Sequence, residues 1–271
     1  MTGFGARLAA AVAGRGSQVA LGLDPDPARV PGGAEGARAF CRRAIAAAGP
    51  ACVAAQLQLA SFERFGAAGW EAFERVAEAA ADAGLLVIAD AKRGDVGVTS
   101  RAYAEAFLRP PVDALTVNPM LGGDAVAPFV EAAAAGGRGL FLLVRTSNPG
   151  AAELQDLELA GGGRWHEALA RRVAEWGDPL VDGSGLSAVG AVVGATVPER
   201  VAALRALMPA QPFLMPGVGA QGGRPEDLGP AFGGRPAGAI VAASRSIIFA
   251  DDPRRAAEDL RAAVWAAYEA G

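Results

Sequence analysis

Eight short apolar segments recur along this chain, and they constrain its fold more than any other feature. Each is almost continuously apolar, which is typical of strands that are buried on both faces of a parallel sheet. The predicted strands comprise residues 18–23, 52–60, 85–89, 114–117, 139–144, 186–193, 212–215 and 239–242. Parallel neighbours need a long crossover connection, and the segments between these strands are long enough to supply one.

Helical patterns occupy several of the connections. The predicted helices comprise residues 71–83, 122–135, 165–176, 197–207 and 253–268. The last has a favourable start, because Asp251 or Asp252 can cap a helix whose first turn contains Pro253. The longest irregular stretch, residues 146–163, is predicted to be an insertion after the fifth strand.

The repeated alternation of strand and helix predicts an α/β protein with a single (β/α)8 TIM-barrel domain over residues 1–271. The length agrees, since this fold typically takes about 250 residues. A doubly wound open sheet, which also alternates strands and helices, remains the structural alternative.

Charge and cysteine usage narrow the possible partners and location. The formal net charge is −4 and no run is rich in Lys or Arg, so we expect no nucleic-acid partner. No apolar run reaches the roughly 18 residues of a membrane span, and residues 1–14 lack the pattern of a signal peptide, so we expect a cytoplasmic protein. Cys41 and Cys52 show no zinc-binding spacing and are predicted to be buried free thiols, with a disulfide between them as the alternative.

One basic residue differs from all the others. Lys92 is the only lysine among 25 basic residues, and the remaining 24 are arginine. A genome that favours arginine codons explains the bias but not the exception. Lysine carries a compact ammonium that can give up its proton, which arginine cannot do. We therefore interpret Lys92 as a candidate for chemistry.

The neighbours of Lys92 support this interpretation. In a (β/α)8 barrel the active site lies at the carboxyl ends of the strands, and the third predicted strand leads into Asp90, Lys92 and Asp95. Residues two apart on a strand face the same side, so Asp90 and Lys92 are predicted to share the barrel mouth. Gly94 permits a sharp turn that returns Asp95 towards Lys92 or directs it to a neighbouring subunit. Flanking carboxylates keep an ammonium charged, as a general acid requires; a surface ion network is the alternative.

A second group of residues is suited to bind phosphate. Glycine-rich residues 217–223 follow the seventh predicted strand, and Arg245 follows the eighth, a common position for phosphate sites in barrels. Backbone amides in such a loop can approach an anion, and Arg245 can contact two phosphate oxygens at once. Alone, the loop could be an ordinary flexible turn. Ser147 and Gln221 offer hydrogen bonds to a ring edge. His166, the only histidine, is predicted to be a surface helix residue without a catalytic role.

Six motifs in this chain occur in an order that matches a known family. They are Gly-Leu-Asp-Pro at 22–25, Asp-Ala-Lys-Arg-Gly-Asp at 90–95 followed by Val-Gly-Val-Thr, Thr-Val-Asn-Pro at 116–119, Thr-Ser-Asn-Pro at 146–149, Pro-Gly-Val-Gly-Ala-Gln-Gly at 216–222 and Ala-Ser-Arg at 243–245. In these motifs, which extend over nearly the whole chain, the sequence resembles the orotidine 5′-phosphate decarboxylase family, in the longer of its bacterial branches.

The resemblance implies decarboxylation of orotidine 5′-phosphate to uridine 5′-phosphate without a metal or organic cofactor. Lys92 would protonate C6 as carbon dioxide leaves, while Asp90 and Asp95 hold Lys92 in place. The implied substrate-binding residues are Asp24, Gln56, Thr99, Ser147, Pro216, Gln221, Gly222, Ser244 and Arg245. Among them, Asp24 and Gln56 would contact the ribose, Ser147 the pyrimidine, and Gln221 and Arg245 the phosphate. The resemblance also implies a homodimer in which Asp95, Val96 and Thr99 enter the partner's site.

The sequence departs from the family pattern at three positions, two of them on the second predicted strand. The family's lysine is replaced by Gln56, the proline after it by Leu57, and a frequent tyrosine by Met120. Gln56 can still bond Asp90 and a ribose hydroxyl, but a neutral hydrogen bond is weaker than a charged one. Three alternatives follow: a weakened decarboxylase, a paralogue that acts on another nucleotide monophosphate, or a nucleotide-binding protein that has lost catalysis. The intact set of Asp90, Lys92 and Asp95 argues against the last.

Overall fold

The first strand hydrogen-bonds to both the second and the eighth, which closes the sheet into a barrel. The computed structural model describes residues 2–219 and 221–271. Its eight parallel strands follow chain order around the barrel: β1 Val19–Leu23, β2 Ala54–Gln58, β3 Leu86–Arg93, β4 Ala114–Val117, β5 Gly139–Arg145, β6 Val189–Val193, β7 Phe213–Pro216 and β8 Ala239–Ala243. The predicted single-domain (β/α)8 barrel is confirmed, and the open-sheet alternative is wrong because β1 pairs with β8.

Helices surround the barrel and connect its strands. They are α1 Phe4–Arg15, α2 Gly33–Ala48, α3 Ala60–Glu63, α4 Gly66–Asp82, α5 Gly97–Phe107, α6 Gly123–Gly136, α7 Ala151–Gln155, α8 Trp165–Gly177, α9 Pro198–Leu207, α10 Gly229–Phe232, α11 Arg245–Ile248 and α12 Pro253–Ala270. Within residues 2–219 and 221–271, the connections also contain four single-turn 3₁₀ helices: Gly49–Ala51, Asp178–Leu180, Pro225–Leu228 and Pro236–Gly238.

The five predicted helices correspond to α4, α6, α8, α9 and α12. At the start of α12 the Asp252 carboxylate accepts a hydrogen bond from Arg255 N at 3.0 Å, as predicted for this cap. Among the described helices longer than five residues, α1, α2 and α5 were not predicted. None of these three begins with a capping side chain, because the residues before them are Gly3, Gly32 and Val96.

The predicted second strand was too long at its carboxyl end. Leu59 already has helical dihedral angles, and α3 begins at Ala60. The prediction for β3 was too short, since the strand continues to Arg93 and so includes the polar residues after Ala89. The stretch 146–163 is only partly irregular, because α7 lies within it.

Helix α1 packs against the amino-terminal end of the barrel. Phe4, Leu8 and Val12 form a buried cluster with side chains from the beginnings of the strands, including Phe141 of β5. The rings of Phe4 and Phe141 meet edge to face, with centroids 5.9 Å apart. A side chain at Gly139 would collide with the Phe4 ring. This end is therefore filled, and the opposite end carries the polar residues.

The two cysteines match their prediction. Cys41 and Cys52 are both buried and free. Burial raises the pKa of each thiol to about 12, so neither is a thiolate near neutral pH. Among the described helices, none is both long and apolar enough to cross a membrane.

Candidate active site

The carboxyl ends of the strands surround a cavity of about 380 Å³. Nine of the twelve predicted site residues line it: Asp24, Gln56, Asp90, Lys92, Ser147, Pro216, Gln221, Ser244 and Arg245. Asp95, Thr99 and Gly222 do not. The cavity is also lined by Gln58, Thr116 and Asn148, which were not among the predicted site residues.

Among the described residues that line the cavity, Asp90 has the most side-chain hydrogen bonds. It is only 4% exposed, yet its carboxylate accepts four hydrogen bonds. Lys92 Nζ and Thr116 Oγ1 donate to Oδ1 at 2.6 and 2.8 Å. Gln56 Nε2 and Gln58 Nε2 donate to Oδ2 at 2.8 and 2.9 Å. Two donors on each oxygen compensate for the burial of the charge, because a buried carboxylate is stable only when it is paired and hydrogen-bonded.

Lys92 bonds the buried Asp90 while its own side chain remains 43% exposed to the cavity. The prediction that the two residues lie side by side is confirmed, although simple strand alternation is not the full reason. Lys92 adopts a φ of 47°, a left-handed conformation that is uncommon for a residue with a side chain. The pairing of β3 with β4 is irregular over this part of the strand.

Asp24 lies at the end of β1, close to the residues that follow β8. Burial raises the pKa of its carboxyl and the charge of Asp90 adds to this effect, while the Ser244 hydroxyl and the cations of Lys92 and Arg245 oppose it. The approach of the two strands depends on Gly22, since a Cβ there would lie 2.6 Å from Ser244 Cβ.

Arg245 presents a guanidinium to the cavity. Within the part of the chain that the structure describes, no carboxylate forms a salt bridge with it. The loop after β7 lies next to it, with Gly217, Gly219 and Gly222 at positive φ values of 108°, 75° and 92°. Gln221 lines the cavity, whereas Ala220 of the same predicted motif lies outside the described residues. A cation without a protein partner beside a glycine loop is suited to bind an anion.

Ser147 is positioned by close contacts from two glycines. A Cβ at Gly194 would lie 2.8 Å from Ser147 Cα, and one at Gly217 would lie 3.2 Å from Ser147 Cβ. The Ser147 carbonyl accepts a hydrogen bond from Thr196 Oγ1 at 3.2 Å. The contact at Gly194 leaves no room for a Cβ, whereas a Cβ at Gly217 would only press against the serine.

The predicted insertion after β5 is anchored to the barrel by an ion pair. Arg145 donates two hydrogen bonds to Asp156, from Nε and Nη2, both at 3.0 Å. This contact lowers the pKa of Asp156, and the charges of Arg200 and His166 add to the effect. Gln155 Oε1 accepts a hydrogen bond from Thr146 N at 2.8 Å, directly before Ser147.

His166 corrects one prediction, because it is not a surface residue. It is 1% exposed, and its Nδ1 lies 2.7 Å from the Gln155 carbonyl oxygen and 3.0 Å from Asp156 Oδ1. The segment around α7 folds over this face of α8 and covers the imidazole. A helical pattern in the sequence does not show that a loop returns to bury a polar position.

Asp95 and Thr99 lie apart from the cavity of their own chain. Asp95 Oδ1 accepts a hydrogen bond from Val96 N at 2.8 Å, and no ion pair joins Asp95 to Lys92 among the described residues. The turn needs Gly94, where a Cβ would lie 2.6 Å from the Asn118 carbonyl oxygen. Of the two directions predicted for Asp95, a return to Lys92 in the same chain is therefore wrong. The segment is also open to solvent, since Val98 is 81% exposed.

Two of the missed residues carry signals that sequence reasoning could have used. Gln58 follows Gln56 by two positions on an extended strand, so both face the same side. Thr116 lies at the end of β4, where barrel sites are found. Met120, one of the departures from the family pattern, is exposed and does not line the cavity.

A closed parallel barrel with a lysine–aspartate pair and, among the described residues, an arginine without a salt bridge at the carboxyl ends of its strands defines a (β/α)8-barrel enzyme with a candidate anion-binding site. Comparison with known families identifies it further. The family model described as orotidine 5′-phosphate decarboxylase / HUMPS family matches residues 17–260. The chain belongs to this family.

Individual relatives agree with this assignment over most of their length. An orotidine 5′-phosphate decarboxylase of Rhodopirellula baltica is 40% identical, covering 92% of this chain and 89% of the relative. One from Haloarcula marismortui is 42% identical, covering 91% and 87%. The solved structure of Leishmania donovani OMP decarboxylase superposes with a TM-score of 0.83 at 33% identity and covers 100% of both chains.

Proposed function

We propose that this protein converts orotidine 5′-phosphate to uridine 5′-phosphate and carbon dioxide, a step of pyrimidine nucleotide synthesis that we expect in the cytoplasm. The observation that carries the proposal is the buried Asp90 bonded at 2.6 Å to a Lys92 that opens into the cavity. The names of the relatives, at about 40% identity over most of each chain, support the same reaction.

Lys92 supplies the proton in the proposed reaction. The bond between C6 and the carboxylate carbon breaks, its electron pair stays on C6, and carbon dioxide leaves. Lys92 Nζ gives a proton to C6 and becomes an amine, which solvent reprotonates. The ammonium also stabilises the negative charge that develops on C6, and such fixed charges usually provide the largest part of a rate enhancement. Asp90 holds the ammonium in place throughout.

The remaining cavity residues bind the nucleotide in this proposal. Asp24 and Gln56 hydrogen-bond the ribose hydroxyls, and Ser147 bonds the pyrimidine edge. Arg245 and Gln221 bind the phosphate, with Ser244, Pro216 and Gly222 forming the wall and backbone around it. Binding energy from the phosphate is then available to close the loop after β7 and to orient the base.

A second copy of the chain completes the site in this proposal. Asp95 and Thr99 lie outside their own cavity, on a segment whose Val96 and Val98 are 53% and 81% exposed. We propose a homodimer in which this segment enters the partner's site. In an equal mixture of Lys92→Ala and Asp95→Ala protomers, about half of the dimers contain one of each, and each such dimer has one intact site out of two. The mixture should therefore recover about a quarter of the wild-type activity. Mixtures that stay inactive would contradict the shared site.

The replacement of the strand-two lysine by Gln56 supports one further candidate, a paralogue that acts on another nucleotide monophosphate. A direct assay separates the two. Purified protein is mixed with orotidine 5′-phosphate, and loss of absorbance is followed with a chelator present, because the proposed reaction needs no metal. Lys92→Ala is the control. Turnover by the wild type alone supports the proposal, and a folded wild type without turnover contradicts it.

A further inference from the structure

Thr116 connects the backbone of Lys92 with the side chain of Asp90. Lys92 N donates to Thr116 Oγ1 at 2.9 Å, and Thr116 Oγ1 donates to Asp90 Oδ1 at 2.8 Å. The direction of both bonds is fixed, because a backbone amide only donates and an ionised carboxylate only accepts. Thr116 is 1% exposed, so its single hydroxyl proton is committed to Asp90.

The strand pairing explains why a hydroxyl is needed at this position. Ala89 pairs with Leu115 and Arg93 pairs with Val117. Between these pairs β3 has three residues, whereas β4 has only Thr116. The regular ladder is therefore interrupted at Lys92, whose amide bonds a side chain instead of a backbone carbonyl. Irregularities of this kind redirect side chains and are frequent beside active sites.

The conformation of Lys92 makes this contact more important. Among the described residues, Lys92 is the only one other than glycine with a positive φ. Such a conformation persists only when surrounding interactions impose it. The hydrogen bond from Lys92 N to Thr116 acts directly on this backbone, and the bond from Thr116 to Asp90 fixes the carboxylate oxygen that Lys92 Nζ contacts.

We infer that Thr116 is a positioning residue for the reaction: its hydroxyl sets both the left-handed turn at Lys92 and the orientation of Asp90, so that the ammonium points into the cavity. The inference rests on the proposed function, because the reacting group is Lys92. Although Thr116 lines the cavity, it is only 1% exposed and its hydroxyl is bonded to Asp90, so we assign it no contact with the substrate. It acts only through the two residues that it bonds.

Two substitutions separate the hydroxyl from the rest of the side chain. Thr116→Val keeps the shape and removes both hydrogen bonds, whereas Thr116→Ser keeps the hydroxyl. We expect Thr116→Val to lower kcat on orotidine 5′-phosphate by about 10²-fold, since a displacement of about 1 Å can have this effect. Its Kd for uridine 5′-phosphate should change by less than about threefold, and Thr116→Ser should stay within about fivefold of the wild-type kcat.

Ser187 provides a matched control two residues before β6, at the end of the barrel away from the site. Its buried hydroxyl also accepts from a strand amide, Val189 N at 3.0 Å, and donates to an oxygen, the Gly177 carbonyl at 2.7 Å. Ser187→Ala should lower the Tm while kcat stays within about twofold of wild type, as expected for a hydrogen bond with a purely structural role.

Several outcomes would overturn the inference. A Thr116→Val protein with kcat within about threefold of wild type would do so, as would a Thr116→Ser protein as slow as the valine variant. If Thr116→Val does not fold, Thr116→Ala replaces it in the same comparison with serine. A crystal structure of the valine or alanine variant gives a readout that needs no activity. An unchanged φ at Lys92 and an unchanged contact with Asp90 would refute the positioning role, whereas a wild type inactive on orotidine 5′-phosphate would refute only the proposed function.

Discussion

Gln56→Lys tests whether the neutral residue on β2 limits the proposed reaction. Gln56 Nε2 lies 2.8 Å from Asp90 Oδ2, on the oxygen opposite to the one that Lys92 contacts. A lysine at this position would place a second ammonium against the same buried carboxylate. It would also give the ribose a charged donor. We expect kcat/KM on orotidine 5′-phosphate to rise.

The expected gain follows from three opposing contributions. At an effective dielectric constant of about 20, an ammonium ~2.8 Å from Asp90 gains roughly 6 kcal/mol, and repulsion from Lys92 at ~5.5 Å costs about 3 kcal/mol. Loss of the amide hydrogen bond and partial desolvation of the ammonium remove about 1–2 kcal/mol more. About 1–2 kcal/mol remains, which corresponds to roughly tenfold in rate if it acts mainly in the transition state.

The assay compares kcat/KM of the wild type, Gln56→Lys and a control, Gln56→Met, with each fold checked by circular dichroism. Methionine has a similar length but no donor, so the control should be slower than the wild type. A well-folded Gln56→Lys protein that is no faster would refute the account of a weakened decarboxylase. It would favour the paralogue that acts on another nucleotide monophosphate.

Three further predictions concern the proton donor, the phosphate contact and the loop after β5. Lys92→Ala should lower kcat by at least about 10²-fold with an unchanged circular dichroism spectrum; turnover within about tenfold of wild type would exclude Lys92 as the proton donor. Arg245→Ala should weaken binding of uridine 5′-phosphate far more than of uridine, and equal losses by calorimetry would contradict a phosphate contact. Asp156→Asn should lower the Tm at pH 7. The pKa of Asp156 is lowered in the folded state, so the stability that its charge contributes is complete above about pH 4 and is lost as pH falls through the folded pKa. The difference in Tm between the wild type and Asp156→Asn should therefore disappear in acid. A Tm difference that does not depend on pH would refute the role of the Asp156 charge.

The strands were predictable because burial on both faces leaves a direct record in the sequence. Eight apolar segments gave eight strands, and their order around the barrel followed from the fold. Helices α1, α2 and α5 were not predicted, although α2 has a buried apolar face that includes Ala37, Cys41 and Ile45. Missing caps do not explain this, because α4, α6 and α9 were predicted and also start without a capping side chain.

The candidate site was predictable where it lies on strand ends and not where it depends on contacts between segments. The pairing of Asp90 with Lys92 followed from their place on β3. The left-handed turn at Lys92 did not, because it depends on a hydroxyl that β4 contributes. The burial of His166 likewise depends on α7 folding over it. Such contacts join residues whose separation in sequence carries no pattern.

The packing of α1 against the barrel affects how far this protein can be truncated before residue 17. The family model starts at residue 17, after α1, and stops at residue 260, within α12. A version trimmed to those limits would retain every motif of the site. It would nevertheless expose the apolar surface that Phe4, Leu8 and Val12 cover, and exposed apolar surface of this kind promotes aggregation. The range matched by the family and the packed core of this chain therefore have different boundaries.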